Sequence, residues 1–512
     1  MSRTARAFKT TLVVTAFGYA SQGLSIVAIP LFLSTVGIDS YGLMVTVMAF
    51  TGYLNFADAG LSWGSMILIA QAHGRGGKAE IAHIVRHAAV LAAASGLVVA
   101  LAVAVVLTSA SFGWRLPMFA HHPEADRLVL IAGAQLIVTL QFGIVYNVFQ
   151  GLQQGYWTGV YQGASRLLGL LCAMAAAWTT HSVAAVMLVQ LAMAVLCGIA
   201  AMVHGWRLNP WAFQRGPWFD RAQYHSQIRI GAKSFLLQIG RTLSGTAPTL
   251  GISSILGPAF VPFYTVPTTL LSLFFTPINS WNSSMQSAYG EAWTAGDLDW
   301  IRTAFRRSIA RALLVGSLGV ALFVAEGDTF IRLWTHARLS LSAPMAASIC
   351  AIVVSGALIA AGEYLLTGLN RHKTAAVAEL ANGLIALALV PLSVHWFGLG
   401  AVGMGVVAAA LASSAWVLRR EIAARIGNQC FPSPWFLLRL AATGAAAAWV
   451  AWLFVGSLGP QILWPTLLHL ALGGAAGCGV FALLAAALRL VDSEEAAAVK
   501  HRMRRMFAVI SP

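Results

Sequence analysis

The sequence predicts an all-α integral membrane protein with about fourteen transmembrane helices, and three observations support that prediction. Hydrophobic residues make up 58% of the 512 residues, charged residues only 10%, and the mean hydropathy is +0.76. A soluble domain normally carries about 25% charged residues. Long apolar runs also recur along the chain, each near the roughly 20 residues that cross a bilayer.

Fourteen runs meet that length, and the second, seventh and eighth exceed it, which predicts tilted or bent helices. The predicted spans are 11–33, 41–70, 88–109, 128–150, 158–178, 183–204, 230–256, 262–290, 309–325, 345–369, 374–395, 399–418, 437–457 and 463–488. The first span follows a basic N-terminal segment. It is too long for a signal peptide and shows no clear cleavage site, so we interpret it as a transmembrane helix.

Basic residues are distributed unevenly between alternate loops. With the N-terminus inside, the inner loops and adjoining helix ends hold 26 of the 32 Lys and Arg residues. Cytoplasmic loops collect such residues, so both termini are predicted in the cytoplasm. The net charge of +15 therefore needs no nucleic-acid partner.

A short internal similarity predicts that the spans form a six-plus-six repeat with two helices appended. At an offset of 220 residues, segment 71–88 matches segment 291–308, with identities at Ala72/Ala292 and Gly76/Gly296 among others. Repeats are common in transporters. The predicted organisation is listed from the N-terminus: cytoplasmic N-terminus 1–10, first six-helix lobe 11–204, cytoplasmic linker 205–229, second six-helix lobe 230–418, two appended C-terminal helices 437–488 and basic cytoplasmic tail 489–512.

Enzyme signatures are absent from the sequence. It contains no HExxH or Walker A pattern, and its single GxSxG match, at 60–64, lies inside the predicted second span rather than at a strand-to-helix turn. The five scattered cysteines have no metal-ligand spacing. We therefore expect no catalytic residue, no metal and no cofactor.

Polar residues at helical spacing predict a hydrated cavity. A charge at the centre of a span is costly and usually faces a bundle interior. The candidate cavity residues are Arg241, Arg166, Gln238, Asn279, Asn282, Gln286, Asn147 and Gln150. The alternative for the amide side chains is hydrogen bonding between neighbouring helices.

Asp58, with Asn55 one turn before it, lies inside the second span. It is a candidate for ion coupling, for a salt bridge with a cavity arginine such as Arg166, or for a structural helix cap. Glu363 and Glu379 lie nearer helix ends, where long charged side chains reach the interface at low cost.

Small residues and prolines predict packing and bending. Gly155, Gly159 and Gly163 repeat at four-residue spacing, which favours close helix packing. Five prolines between Pro248 and Pro277 predict that spans 7 and 8 flex or break.

The second span also carries a family resemblance. Tyr41-Gly42, followed by Phe56-Ala57-Asp58-Ala59-Gly60-Leu61, resembles the pattern of O-antigen-type polysaccharide flippases, with Ala59 replacing a leucine. These flippases belong to the multidrug/oligosaccharidyl-lipid/polysaccharide exporter (MOP) superfamily. The resemblance implies two lobes that alternate between inward- and outward-facing states, around a cavity whose cations hold a lipid diphosphate.

On that resemblance we expect a flippase that moves polyprenyl-diphosphate-linked oligosaccharide across the bacterial inner membrane. Arg241 and Arg166 would hold the diphosphate. No arginine lies in 11–33, where some relatives carry one, which favours a glycan other than lipid II. The expected partners are the lipid-linked glycan and membrane lipids, with a polysaccharide polymerase and chain-length machinery as further candidates.

Three alternatives remain open from the sequence. A cation-coupled drug antiporter of the same superfamily fits twelve spans better than fourteen. A polyprenyl-sugar glycosyltransferase or polymerase would usually need a sizeable outside loop with acidic residues, and the predicted outside loops are short. A non-transporting scaffold of the export machinery is the third.

Overall fold

The computed structural model of the protein describes residues 3–58, 60–111, 116–119, 122–214, 221–455, 463–488 and 490, and every regular element among them is a helix. The α-helices are α1 Arg3–Thr35, α2 Ile38–Leu54, α3 Leu61–Gly74, α4 Lys78–Ser111, α5 Ala125–Gly151, α6 Gly155–Thr180, α7 Val183–Leu208, α8 Arg221–Ile255, α9 Val261–Ala295, α10 Leu298–Trp334, α11 Ala343–Gly368, α12 His372–Phe397, α13 Val402–Ala412, α14 Ser414–Ile426, α15 Pro434–Val455 and α16 Leu463–Ala487.

These helices confirm the predicted fold class. Twelve stretches in the described part of the chain are long and apolar enough to cross a membrane. The two remaining predicted spans correspond to α2 with α3, which are separated by a break, and to α8, which carries several basic residues. The predicted count of about fourteen is consistent with this arrangement.

The chain divides into two compact units. Unit 1 contains residues 1–266 and 372–416, and unit 2 contains residues 267–371 and 417–512. This division groups residues by packing, whereas the lobes predicted at 11–204 and 230–418 follow the sequence repeat. The lobe boundaries stay a prediction.

A seam between α2 and α8 runs along unit 1. Near one end, a Cβ on Gly42 would overlap the carbonyl oxygen of Pro258, which follows α8. Further along, Thr46 Oγ1 donates to Ser253 Oγ at 3.1 Å in a buried hydrogen bond. The rings of Phe56 and Phe235 then meet edge to face at 6.4 Å. A glycine contact, a hydroxyl pair and an aromatic pair therefore hold α2 and the residues after it against α8.

Unit 2 places the appended helices against α10. Ala321 of α10 shares a buried core with Leu440 and Ala447 of α15 and with Phe481 of α16. A Cβ on Gly444 would stand only 2.6 Å from Ser317 Oγ, so α15 lies directly on α10. The two C-terminal spans are thus an integral part of this unit.

Equivalent turns of the predicted repeat share the same backbone geometry. Gly76 and Gly296, 220 residues apart, both have φ of +75°. Gln153 and Asn370 follow α5 and α11 with φ of +61° and +60°, and the hydrogen bonds around them correspond one to one. The similarity of these turns is stronger than the similarity of their sequences.

The prolines do not break α8 or α9. Helix α8 continues through Pro248, and α9 continues through Pro267 and Pro277. Of the two alternatives predicted for spans 7 and 8, a break is therefore wrong, whereas bending at the prolines stays a prediction. Interruptions lie instead in the second span, between α2 and α3, and in the twelfth, between α13 and α14.

Candidate functional site

A cavity of about 850 Å³ opens within unit 1, among α1, α3, the end of α5, and α6. That volume lies in the range typical of ligand pockets. The walls are partly apolar, with Phe17, Met66 and Ile67 among them. The polar side chains that line it include Ser21, Gln71, Gln150, Gln153, Gln162 and Arg166.

The glycine stripe of α6 positions one wall of this cavity. A Cβ on Gly163 would overlap the ring of Phe17, and a Cβ on Gly159 would stand 2.9 Å from a methyl of Val14. These contacts place α1 directly on the glycine face of α6. The stripe is a packing surface, as its spacing predicts.

Arg166 supplies the positive charge of the cavity. It lies eleven residues into α6, about 16 Å along the helix axis, and its side chain is exposed. Among the described residues that line the cavity it is the only one charged at neutral pH. A guanidinium in such a place favours an anionic ligand, which it can bind through two parallel hydrogen bonds.

The turn between α5 and α6 forms one rim of the cavity. Gln153 adopts the left-handed backbone conformation, with φ of +61°, which is uncommon for a residue other than glycine. The N–H of Gln154 donates to the carbonyl oxygen of Phe149 at 2.7 Å, which closes the turn. Buried Asn209 donates its Nδ2 to Gln154 Oε1 at 3.1 Å and anchors the turn from α7.

Asp58 lies at the break in the second span. Residues Asn55–Asp58 form a short 3-10 helix, and Gly60 follows in the left-handed conformation with φ of +73°. Asn55 donates its Nδ2 to the Gly52 carbonyl oxygen at 3.3 Å, and Ser95 Oγ donates to the Ala57 carbonyl oxygen at 2.7 Å. The Asp-x-Gly sequence thus marks the break between α2 and α3.

Gly60 leaves no room for a side chain. A Cβ there would stand 2.5 Å from the carbonyl oxygen of Gly231 and 3.0 Å from the Cβ of Phe235, both on α8. The break in the second span is therefore also a point of direct backbone contact with α8. A pairing of Asp58 with an arginine stays a prediction.

The cavity brings together two of the ten predicted site residues, Arg166 and Gln150. The others are not among its lining residues. Asn147 of α5 is half-buried, and Gln238 and Arg241 are exposed on α8. In unit 2, Asn282 is only 2% exposed, Gln286 is half-buried and Asn279 is exposed. Their roles in a substrate cavity stay predictions.

The sequence analysis missed three cavity glutamines, Gln71, Gln153 and Gln162. Gln162 precedes Arg166 by one helical turn, so the spacing alone could have placed it on the same face. Gln71 lies in the last turn of α3, and the position of Gln153 depends on its turn. No local pattern indicates either of them.

A second polar site lies around Glu379 of α12 in unit 1. The carboxylate accepts hydrogen bonds from Ser244 Oγ at 2.5 Å, Ser414 Oγ at 3.1 Å and Asn382 Nδ2 at 3.3 Å. Glu379 is 4% exposed and Glu363 is 3% exposed. The expectation that both reach the membrane interface is therefore wrong, because the helices packed around them cover their side chains.

Comparisons with known proteins agree with this architecture. A family model described as polysaccharide biosynthesis protein matches residues 7–285. No curated protein matches the sequence. The fold is similar to that of the lipid II flippase MurJ in an inward closed conformation, with a TM-score of 0.70, 11% identity, and coverage of 93% of this chain and 99% of that one.

Multidrug transporters of the MATE family share the same fold. An inward-facing member of the MOP superfamily aligns with a TM-score of 0.60 and 18% identity, covering 79% of this chain and 95% of that one. An outward-facing member aligns with a TM-score of 0.58 and 14% identity, covering 83% and 97%.

The fold is therefore that of the flippases and transporters of the MOP superfamily, in a multi-pass membrane protein. Because the family model spans more than half of the residues, the chain belongs to the polysaccharide biosynthesis protein family.

Proposed function

We propose that this protein is a flippase that moves polyprenyl-diphosphate-linked oligosaccharide units across the bacterial inner membrane by alternating access. Both termini would lie in the cytoplasm, as the distribution of Lys and Arg favours. The observation that carries the proposal is the cavity in unit 1, where one arginine stands among neutral amide side chains and apolar walls.

Each part of such a substrate has matching chemistry in the cavity. Arg166 can neutralise part of the diphosphate charge through charge-assisted hydrogen bonds. Glutamine amides can both donate to and accept from sugar hydroxyl groups. The apolar walls can contact the first isoprene units. Arg241 remains a candidate for a second cation on the transport path.

The test is translocation of a fluorescent polyprenyl-diphosphate disaccharide in proteoliposomes, comparing wild type with Arg166→Gln. Losing a hydrogen bond between two charged groups should weaken binding of this lipid about 10- to 100-fold, and initial translocation should fall with it at subsaturating lipid. The matched control is Arg338→Gln, because Arg338 is an exposed arginine outside the cavity. Equal translocation by all three proteins would refute a substrate role for Arg166.

Glu379 favours a second candidate, a cation-coupled drug antiporter. Its buried carboxylate accepts hydrogen bonds from two hydroxyls and an amide, and carboxylates within membrane-spanning helices often mark ion pathways. Such a carboxylate could equally couple lipid flipping to an ion gradient.

Two proteoliposome measurements separate the candidates. A flippase should move the diphosphate lipid, either without a gradient or with an imposed proton or sodium gradient, and should extrude no ethidium under any of these conditions. Ethidium extrusion that needs an imposed proton or sodium gradient, with no lipid translocation, would favour the antiporter.

A further inference from the structure

The cavity contains more amide side chains than an anion site needs. Gln71, Gln150, Gln153 and Gln162, here called the glutamine cluster, line it together with Arg166. They come from α3, α5, the α5–α6 turn and α6, which are separate parts of the chain. Separate elements therefore bring the same functional group to one cavity.

An amide has the hydrogen-bonding capacity that a sugar requires. Each glutamine offers two N–H donors and one carbonyl acceptor, whereas arginine only donates and a carboxylate only accepts. Sugar hydroxyl and acetamido groups both donate and accept. Four amides around one cavity thus fit a neutral glycan better than they fit a second phosphate.

The positions of these residues give a bound substrate an orientation. Gln162 and Arg166 lie one turn apart on α6, about 6 Å along its axis. Gln150, in the last turn of α5, and Gln153, in the α5–α6 turn, both precede the N-terminal end of α6. An anion at Arg166 would therefore direct the attached sugar along α6 toward this turn.

The α5–α6 turn places Gln153 at the cavity. Its left-handed backbone is the conformation that often ends a helix, as it also does at Asn370 after α11. The turn is held by the hydrogen bond from the Gln153 N–H to the Gln150 carbonyl oxygen at 3.1 Å. A glycine would make this turn without strain, yet glutamine occupies it and lines the cavity.

The charge of the lining selects against one class of sugar. No carboxylate is present among the described residues that line the cavity, and Arg166 is positive. A protonated amino sugar would find no carboxylate among these residues to pair with, and Arg166 offers it no attraction. Its acetylated form carries no charge and gains an amide group that the glutamines can bind.

We propose that the glutamine cluster is the sugar-recognition subsite and selects uncharged sugars that carry hydroxyl or acetamido groups. The inference rests on the proposed flippase function, since it takes Arg166 as the anchor for the diphosphate.

Three soluble probes test this subsite on the purified full-length protein by native mass spectrometry. The probes are farnesyl diphosphate, its N-acetylglucosamine derivative and its glucosamine derivative. Wild type should bind the acetylated probe more tightly than it binds farnesyl diphosphate. It should bind the amine-bearing probe no more tightly than farnesyl diphosphate. Gln153→Gly and Gln162→Leu should each reduce the preference for the acetylated probe about three- to tenfold. Affinity for farnesyl diphosphate should not change.

Controls separate recognition from folding. Gln153→Gly removes the side chain and also relieves the left-handed strain, so lost preference cannot come from a damaged turn. Gln190→Leu on α7 replaces a glutamine outside the cavity and should leave the preference intact.

The outcomes distinguish the two proposals. Unchanged preference in both cluster variants would overturn the subsite while leaving the flippase standing. Equally weaker binding of all three probes by the cluster variants would also overturn the subsite, because it would show a general effect on diphosphate binding or on the fold. Failure of wild type to bind any probe would count against the flippase proposal itself.

Discussion

Replacing Gly60 with alanine tests the break in the second span most directly. Two independent penalties apply. The left-handed backbone costs about 1–2 kcal/mol for an L-residue with a side chain. The added methyl would also press on the Gly231 carbonyl, and overpacking typically costs about 1–3 kcal/mol. Together these reduce the stability of the folded protein by about 2–5 kcal/mol.

Three further glycines separate these two penalties. Gly76→Ala has the same left-handed backbone with nothing within 4 Å, so only the conformational cost applies. Gly231→Ala has the contact alone, because its Cβ would overlap the Gly60 carbonyl. Gly74→Ala has neither. All four changes share the gain of about 0.4–1 kcal/mol from a stiffer unfolded chain, so their differences are informative.

The assay is the unfolding midpoint of the purified protein in detergent, followed by tryptophan fluorescence. We expect Gly74→Ala to unfold slightly above wild type because it gains without penalty, Gly76→Ala and Gly231→Ala to unfold below Gly74→Ala, and Gly60→Ala to fall furthest. The double variant of Gly60 and Gly231 should be non-additive because the two residues touch. If Gly60→Ala is no less stable than Gly76→Ala, the backbone contact with α8 is absent and the reasoning fails.

Three further predictions concern a cap, a packing surface and a buried carboxylate. Asp297→Ala should destabilise the protein by about 1 kcal/mol in the same assay, because Asp297 accepts a hydrogen bond from a first-turn N–H of α10 at 3.0 Å. The control Asp299→Ala, at an exposed side chain, should have a smaller effect. Gly163→Ala should lower the unfolding midpoint, because the added methyl would overpack against a phenylalanine of α1. Gly18→Ala should not lower it, because no atom lies within 4 Å of the added methyl. Equal midpoints for the two variants would contradict the packing of α1 on α6. Glu379→Gln should fold like wild type, whereas Glu379→Leu should reduce stability by about 2–4 kcal/mol because it leaves buried donors unpaired. Equal stability of these two variants would argue against the hydrogen bonds around Glu379.

The fold was predictable because membrane insertion depends on composition over short stretches. A run of about twenty apolar residues crosses a bilayer wherever it occurs in the chain. One feature of the fold could not be predicted in this way. The break at Gly60 follows from backbone chemistry and contact with α8, and the hydropathy of 41–70 does not show it.

The candidate site was only partly predictable. Arg166 was identified because a charge inside a span is rare, and Gln150 because it falls on a polar stripe. Gln71 and Gln153 carry no such signal, since a glutamine at the end of a helix is ordinary. The buried carboxylate of Glu379 accepts hydrogen bonds from Ser244 and Ser414, which lie 135 and 35 residues away in the chain.

By itself the sequence determined the class, a helical membrane protein, and predicted about fourteen spans, an internal repeat and a resemblance to the polysaccharide flippases. These properties depend on local apolar length, on charge distribution and on short motifs. Only the tertiary structure decided which polar side chains share a cavity and which carboxylate is buried. The physical reason is that each helix can pack with any of several neighbours at any rotation about its axis, and contacts between distant residues select one arrangement.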